Sequence, residues 1–268
     1  MKSSHSTGLL VVGHGTRSEQ GLAEFLETVN LTAQLLPSTR VQACFLELAR
    51  PTIAEGIDKL VQAGVKRIVV LPLLLFAAGH AKEDIPAEVT LAQARYPEIP
   101  IRLASHLGCH AHLQALSAQR YQEALAKHSS LHEEVAPQDT CWLLVGRGSH
   151  DPAALAETHR FAAMRQTWTP VGQARVAFLA IAEPRLDDLL PEVATWHFRR
   201  VVVQPHLLFH GELLGTLQAS VDKIAAQFPG QQWVTVEHLG PAQHIAEVVV
   251  EQYLQAKLSH FARMLAKT

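Results

Sequence analysis

Two histidines and one glutamate in the first half of the chain provide the side-chain types that bind a divalent metal ion without holding it permanently. His14 lies in the segment GHGT, Glu47 in FLELARP and His80 in AAGHAK. Two imidazoles and one carboxylate suit Fe, Co, Ni or Zn and leave coordination positions open, whereas a closed structural site more often uses four cysteine or histidine ligands. Glycines beside both histidines allow sharp turns and close approach of a bulky flat ligand. These three residues are therefore the predicted metal ligands and the predicted catalytic residues.

Basic and apolar residues beside these segments favour an anionic, flat ligand. Arg17, Arg50 and Lys82 lie near the three site residues in the sequence and are predicted to pair with substrate carboxylates. The apolar run LPLLLFAA, which precedes Gly79, is predicted to form the walls of a pocket for a macrocycle. The helices that follow these loops would add partial positive charge at their amino ends.

A duplication of the chain indicates how these residues are positioned. Residues 8–76 align with residues 141–209 without a gap, so that GLLVVGHGT corresponds to CWLLVGRGS and VVLPLLLF to VVQPHLLF. Beyond that stretch the second half is one residue shorter, since SHLG at 105–108 corresponds to EHLG at 237–240. We predict an amino-terminal lobe at 1–127, a linker at 128–140 and a carboxyl-terminal lobe at 141–268.

Within each half, short apolar runs alternate with segments of helical periodicity. In the first half, strands are predicted at 8–13, 41–48, 67–75 and 101–107, and helices near 18–36, 51–64, 83–95 and 110–127. This alternation predicts two similar four-stranded parallel α/β lobes with flavodoxin-like winding and a cleft between them. Ligands in such sheets bind outside the carboxyl ends of the strands. If the first strand lies between the second and third, His14, Glu47 and His80 converge there.

The second half has kept the packing residues of the repeat but has replaced all three site residues. Arg147 stands for His14, Ala180 for Glu47 and Glu212 for His80. The first half is therefore predicted to carry the active site, and the second to be a degenerate partner wall.

The sequence gives two interpretations of three histidines in the second half. His150, His206 and His210 could form a second metal or regulatory site. Alternatively, His206, which stands in the place of Leu73, lines the macrocycle pocket, and His150 caps the following helix.

The composition excludes several classes of protein. The chain has a formal net charge of −2 and no block of lysine or arginine, so no nucleic-acid partner is expected. It has no run of about 18 apolar residues, and MKSSHSTG does not read as a signal sequence, so we expect no membrane segment and a cytoplasmic location. The three cysteines lack CxxC spacing, which argues against a disulfide framework.

Three segments, VVGHGTR, FLELARPTI and LPLLLFAAGHAKEDIP, resemble in order and spacing the signature segments of the CbiX/SirB-type sirohydrochlorin chelatases. These form a group within the class II chelatases, and the length is similar to the long, two-lobed form. The resemblance implies a lyase that inserts Co²⁺ or Fe²⁺ into sirohydrochlorin for cobalamin or siroheme biosynthesis. It implies that His14 and His80 handle the metal while Glu47 assists.

The resemblance also implies that no cofactor is permanently bound, because the divalent metal is a substrate, with Ni²⁺ or Zn²⁺ as substitutes in vitro. No nucleotide requirement is expected, since the chain has no GxxxxGK[ST] sequence. Some long cobalt-inserting relatives carry a histidine-rich stretch and a cysteine cluster that this chain lacks, so the choice between cobalt and iron stays open.

Two other functions fit parts of the same pattern. A metallochaperone or tetrapyrrole carrier would use the same ligands without accelerating insertion. A histidine phosphatase has an RHG motif after its first strand, but here Gly13 precedes His14, and Glu47 would repel phosphate. A monomer is expected, since a duplicated chain supplies two lobes within one molecule.

Overall fold

Strands and helices alternate along the chain in the computed structural model, which describes residues 7–76, 78–129 and 134–265, with the side chains of all of these except His80, Ser129 and 259–265. The first half contains β1 (Gly8–Gly13), α1 (Glu19–Leu35), β2 (Arg40–Phe45), α2 (Ile53–Gln62), β3 (Ile68–Pro72), α3 (His80–Arg95), β4 (Ile101–Leu103) and α4 (Ala111–Ser129). The second half contains a short 3-10 turn (Pro137–Asp139), β5 (Thr140–Gly146), α5 (Pro152–Gln166), β6 (Gln173–Phe178), α6 (Leu186–Ala194), β7 (Arg200–Pro205), α7 (Glu212–Gln227), β8 (Gln232–Thr235) and α8 (Gln243–Leu265).

The strands form two parallel four-stranded sheets with the same order, β2-β1-β3-β4 and β6-β5-β7-β8. The central strands β1, β3, β5 and β7 are buried along their whole length, whereas the edge strands are partly exposed. Apolar central strands covered on both faces are what parallel sheets require. The predicted fold class of two similar four-stranded α/β lobes is confirmed, and β1 lies between β2 and β3 as the convergence of the site residues requires.

Three predicted strands of the first half are too long at their carboxyl ends. They were expected to reach residues 48, 75 and 107, but β2 ends at Phe45, β3 at Pro72 and β4 at Leu103. The apolar composition continues past these points, whereas the chain leaves the strand direction and forms loops. A run of apolar residues indicates that a segment is buried, and the loops at the sheet edge are also partly buried. The apolar runs therefore continue past the ends of the strands.

Each compact unit of the structure contains the last helix of the other sequence repeat. One unit comprises residues 1–112 and 240–268, and the other comprises residues 113–239. Helix α8 therefore packs on α1 and β3 of the first unit, where the hydroxyl of Tyr253 lies 3.3 Å from that of Thr39. From Leu113 onward, helix α4 lies in the second unit, where the amide of Gln204 donates to the carbonyl oxygen of Ser117. The repeat boundaries at 1–127 and 141–268 describe the duplication, and the compact units differ from them by this exchange.

The segment predicted as a linker, 128–140, is partly ordered secondary structure. It contains the end of α4, the 3-10 turn and the first residue of β5, while 130–133 lie outside the described residues. Within the described ranges, no helix is both long and apolar enough to cross a lipid bilayer.

Candidate active site at the edge of the first sheet

His14 and Glu47 lie side by side beyond the carboxyl ends of β1 and β2. The backbone amide of Leu46 donates to the carbonyl oxygen of Gly13 at 2.9 Å, and that of Glu47 donates to the carbonyl oxygen of His14 at 3.0 Å. These two bonds continue the pairing of β1 with β2 past the strand ends. As a result Nδ1 of His14 lies 3.4 Å from Oε1 of Glu47. The structure thus brings two of the three predicted site residues together.

The two glycines beside His14 are required by close packing. A Cβ atom on Gly15, whose φ is +99°, would lie 1.8 Å from the carbonyl oxygen of Glu47. A Cβ atom on Gly13 would lie 2.7 Å from the ring of Phe25. A side chain at Gly15 would push the two loops apart, and one at Gly13 would displace Phe25 of α1. Gly15 therefore allows the close approach of the His14 and Glu47 loops.

The separation of the imidazole and the carboxylate suits a shared metal ion. Donor atoms on a tetrahedral ion lie about 3.4 Å apart when each bond is about 2.1 Å long. The side chains of His14 and Glu47 are 40% and 54% exposed, so a cation from solvent can reach both. The pair can contact each other without metal and bind a common ion when one is present.

The third predicted ligand, His80, is placed by its backbone only. It is the first residue of α3, after Gly79, whose φ of 48° and ψ of −129° form a turn that favours glycine. Its side chain lies outside the described residues. Among the side chains that the structure does describe, no group of three or more His, Cys, Asp and Glu is arranged to hold a metal ion. His80 as third ligand stays a prediction.

The three basic residues predicted to contact substrate are all exposed, and Arg50 has an acidic partner in the first turn of α2. Arg17 follows β1, and Lys82 lies in the first turn of α3. The guanidinium of Arg50, 79% exposed, pairs with Glu55. Glu55 also accepts from the backbone amide of Thr52 in the capping box of α2. A substrate carboxylate would therefore compete with Glu55 for Arg50.

The second unit repeats the backbone of this loop with Arg147 in place of His14 and Ala180 in place of Glu47. The amide of Ala180 donates to the carbonyl oxygen of Arg147 at 2.8 Å, as Glu47 does to His14. Gly148 has a φ of +94°, and a Cβ there would lie 1.8 Å from the carbonyl oxygen of Ala180. Helices α3 and α7 also have the same length of 16 residues, which aligns His80 with Glu212. The scaffold is thus conserved within the chain, while the chemical groups are confined to the first unit.

The histidines of the second unit do not form the further site that was left open. His206 is 3% exposed, with its ring centroid 4.1 Å from that of Phe161. The proposal that it lines a macrocycle pocket is wrong, because the side chain packs inside the unit. Asp151, and not His150, caps α5 by accepting from the amide of Ala153. The described side chains of His150 and His210 belong to no group of three or more potential metal ligands.

One polar cluster was missed by sequence reasoning. His112 lies between two glutamates of α8, with Nδ1 3.1 Å from Oε2 of Glu247 and Nε2 3.0 Å from Oε1 of Glu251. Nε2 of His110 lies 3.2 Å from the other oxygen of Glu251. This cluster attaches α8 to the start of α4 within the first unit. The His-x-His spacing was visible in the sequence, but its partners are far along the chain.

The chain is similar to known proteins over most of its length. The chain is 29% identical to the sirohydrochlorin ferrochelatase of Priestia megaterium over 91% of this chain and 88% of that protein. It is 28% identical to the sirohydrochlorin cobaltochelatase of the same organism over 90% and 76% of the two chains. Among solved structures, SirB from Bacillus subtilis with Fe³⁺ gives a TM-score of 0.83 at 26% identity, over 94% of this chain and 95% of that one. A model of the CbiX family matches residues 8–124 and again 141–256, once for each repeat. The chain therefore belongs to the CbiX family.

Proposed function

We propose that this protein is a sirohydrochlorin chelatase, a lyase that inserts a divalent metal ion into the macrocycle without a nucleotide. The observation that carries the proposal is the pairing of His14 with Glu47 at metal-ligand spacing beyond the carboxyl ends of β1 and β2. The relatives named as sirohydrochlorin ferrochelatase and cobaltochelatase support the substrate and the reaction. His80, at the start of α3, is the proposed third ligand.

The chemistry of insertion makes use of both members of the pair. A metal ion entering a tetrapyrrole must lose bound water and displace two pyrrole N–H protons. Imidazole and carboxylate hold the ion through nitrogen and oxygen, which release it more readily than a thiolate cage would. As the ion moves into the ring, the vacated His14 or Glu47 can accept a proton. General-base assistance of this kind typically contributes about 10²- to 10⁴-fold to a rate.

The substrate contacts proposed for the basic residues follow from charge and exposure. Arg17 and Lys82 flank the first and third strand ends with exposed side chains, which suits pairing with carboxylates at the edge of a macrocycle. Arg50 can join them only by leaving Glu55.

Iron and cobalt both fall within the proposal, because imidazole and carboxylate discriminate weakly between them. Ni²⁺ and Zn²⁺ are proposed as substitutes in vitro on the same ground. We also propose a cytoplasmic monomer, since the duplicated chain carries two lobes in one molecule.

The decisive test follows anaerobic metallation of sirohydrochlorin with Co²⁺ and with Fe²⁺ by absorbance. Wild-type protein should accelerate insertion above the spontaneous rate, and His14→Ala, Glu47→Gln and His80→Ala should each reduce the rate by about 10²-fold or more. Arg147→Ala is the matched control, because it changes the position equivalent to His14 in the second unit and should leave the rate unchanged.

Equal rates with and without wild-type protein, together with binding of sirohydrochlorin, would instead indicate a carrier or metallochaperone. The phosphatase alternative is disfavoured because the carboxylate of Glu47 lies 3.4 Å from the imidazole of His14, where phosphate would have to bind. Hydrolysis of a phosphomonoester by wild type that is lost in His14→Ala would overturn this reasoning.

A further inference from the structure

Leu48, the residue after Glu47, has a backbone conformation that leucine rarely adopts. Its φ is +60°, in the left-handed region where residues other than glycine, asparagine and aspartate are strained. Its side chain is 55% exposed, so burial in the core does not offset this strain. Glycine would form the same turn at lower cost.

The surrounding loop holds Leu48 in place from both sides. The amide of Glu47 donates to the carbonyl oxygen of His14, and the amide of Ala49 donates to the carbonyl oxygen of Glu47 at 2.7 Å. The amide of Phe45 donates to the carbonyl oxygen of Pro51 at 2.9 Å, which closes the loop at its base. These bonds hold an exposed apolar side chain directly beside the proposed metal ligand Glu47.

The duplicate separates this feature from metal binding. Ile181, the equivalent of Leu48, has a φ of +67° and is 44% exposed. It follows Ala180, whose side chain has no carboxylate to bind a metal. An exposed apolar residue in the left-handed conformation is therefore present at both copies, although only one copy has a metal-binding pair. Metal coordination does not explain the conformation of either.

We propose that Leu48 packs against the flat apolar face of the macrocycle while the neighbouring Glu47 binds the metal. This inference rests on the proposed function and names a substrate-binding residue for it. Glu47 and Leu48 are consecutive, so one short segment brings the ion and the ring to the same place. Leu48 binds the ring and takes no part in proton transfer.

The test compares Leu48→Gly with Ile181→Gly. Glycine suits a positive φ, so the melting temperature of each variant should stay within about 3 °C of that of wild type. Covering the exposed part of one leucine side chain corresponds to about a fivefold change in affinity, so Leu48→Gly should raise KM for sirohydrochlorin by about that factor. KM for Co²⁺ should not change, and Ile181→Gly should change neither constant.

The outcomes separate this inference from the proposed function. If wild type does not accelerate metallation, the proposed function fails. If wild type is active but Leu48→Gly keeps the wild-type KM for sirohydrochlorin, or if both variants raise it equally, the role of Leu48 is refuted. Failure of Leu48→Gly to fold would also refute it, since leucine would then be needed for the loop itself. Leu48→Asn, which tolerates the same backbone conformation but has a polar side chain, should raise KM as glycine does.

Discussion

Replacing His206 with leucine should make the stability of the protein less sensitive to acid. His206 follows β7, is 3% exposed and packs against the ring of Phe161. Burial lowers the pKa of His206 from an ordinary value of 6.5 to about 3, because a charged imidazole would lose its hydration there. Leucine is chosen as the replacement because Leu73 has the equivalent position in the first unit and is also buried.

The direction in which stability changes with pH depends on whether the folded or the unfolded state binds a proton first. The pKa of His206 is lower in the folded state than in the unfolded state, so as the pH falls the unfolded chain is protonated first. Stability is therefore lost progressively from pH 6.5 down to about pH 3. The loss proceeds at about 1.4 kcal/mol per pH unit and reaches about 2 kcal/mol at a pH of about 5. For a chain of this size that corresponds to about 4–8 °C in melting temperature.

Urea denaturation followed by circular dichroism, at a pH of about 7.5 and of about 5, measures this effect as a difference in the free energy of unfolding. Wild type should lose about 2 kcal/mol more than His206→Leu between the two conditions. His206→Gln is the control, because it also cannot titrate in this range and should show the same reduced pH dependence even if its amide fits the apolar site less well. Equal losses in all three proteins would show that burial of His206 does not couple folding to protonation.

Three further substitutions test the two equivalent loops and the core. Gly15→Ala should destabilise the protein by about 2 kcal/mol and sharply lower the metallation rate, because its Cβ would displace Glu47. Gly148→Ala meets the same 1.8 Å clash in the second unit and should cost similar stability in thermal melts without lowering the rate per folded molecule; equal loss of rate would contradict the assignment of the site. Gln204→Leu should cost about 1–3 kcal/mol in urea denaturation, because it removes the acceptor 2.9 Å from the indole nitrogen of buried Trp142. No measurable loss would show that this bond contributes little.

The parallel α/β lobes were predictable because apolar runs and helical periodicity are local properties of the sequence, whereas the strand order was expected only from flavodoxin-like winding. Apolar runs at two corresponding places in each half identified the central strands β1, β3, β5 and β7, which the structure buries completely. The exchange of α4 and α8 was not predictable in the same way. An amphipathic pattern shows that a helix must bury one face, but it does not show which sheet covers that face.

The pairing of His14 with Glu47 was predictable from the rule that loops at the carboxyl ends of neighbouring parallel strands share one edge. The substitution of both residues in the second half strengthened that interpretation. The pairing of Arg50 with Glu55 was not predictable, because it depends on where the capping box of α2 places the carboxylate.

The sequence by itself determined the repeat, the alternation of strands and helices and the identity of the polar residues after the first strands, since each depends on residue type and spacing. Only the tertiary structure decided the positive φ of Leu48, the burial of His206 and the cluster of His112 with Glu251. These three features arise where distant segments constrain one another, and the energy of such contacts outweighs the local preference of each residue.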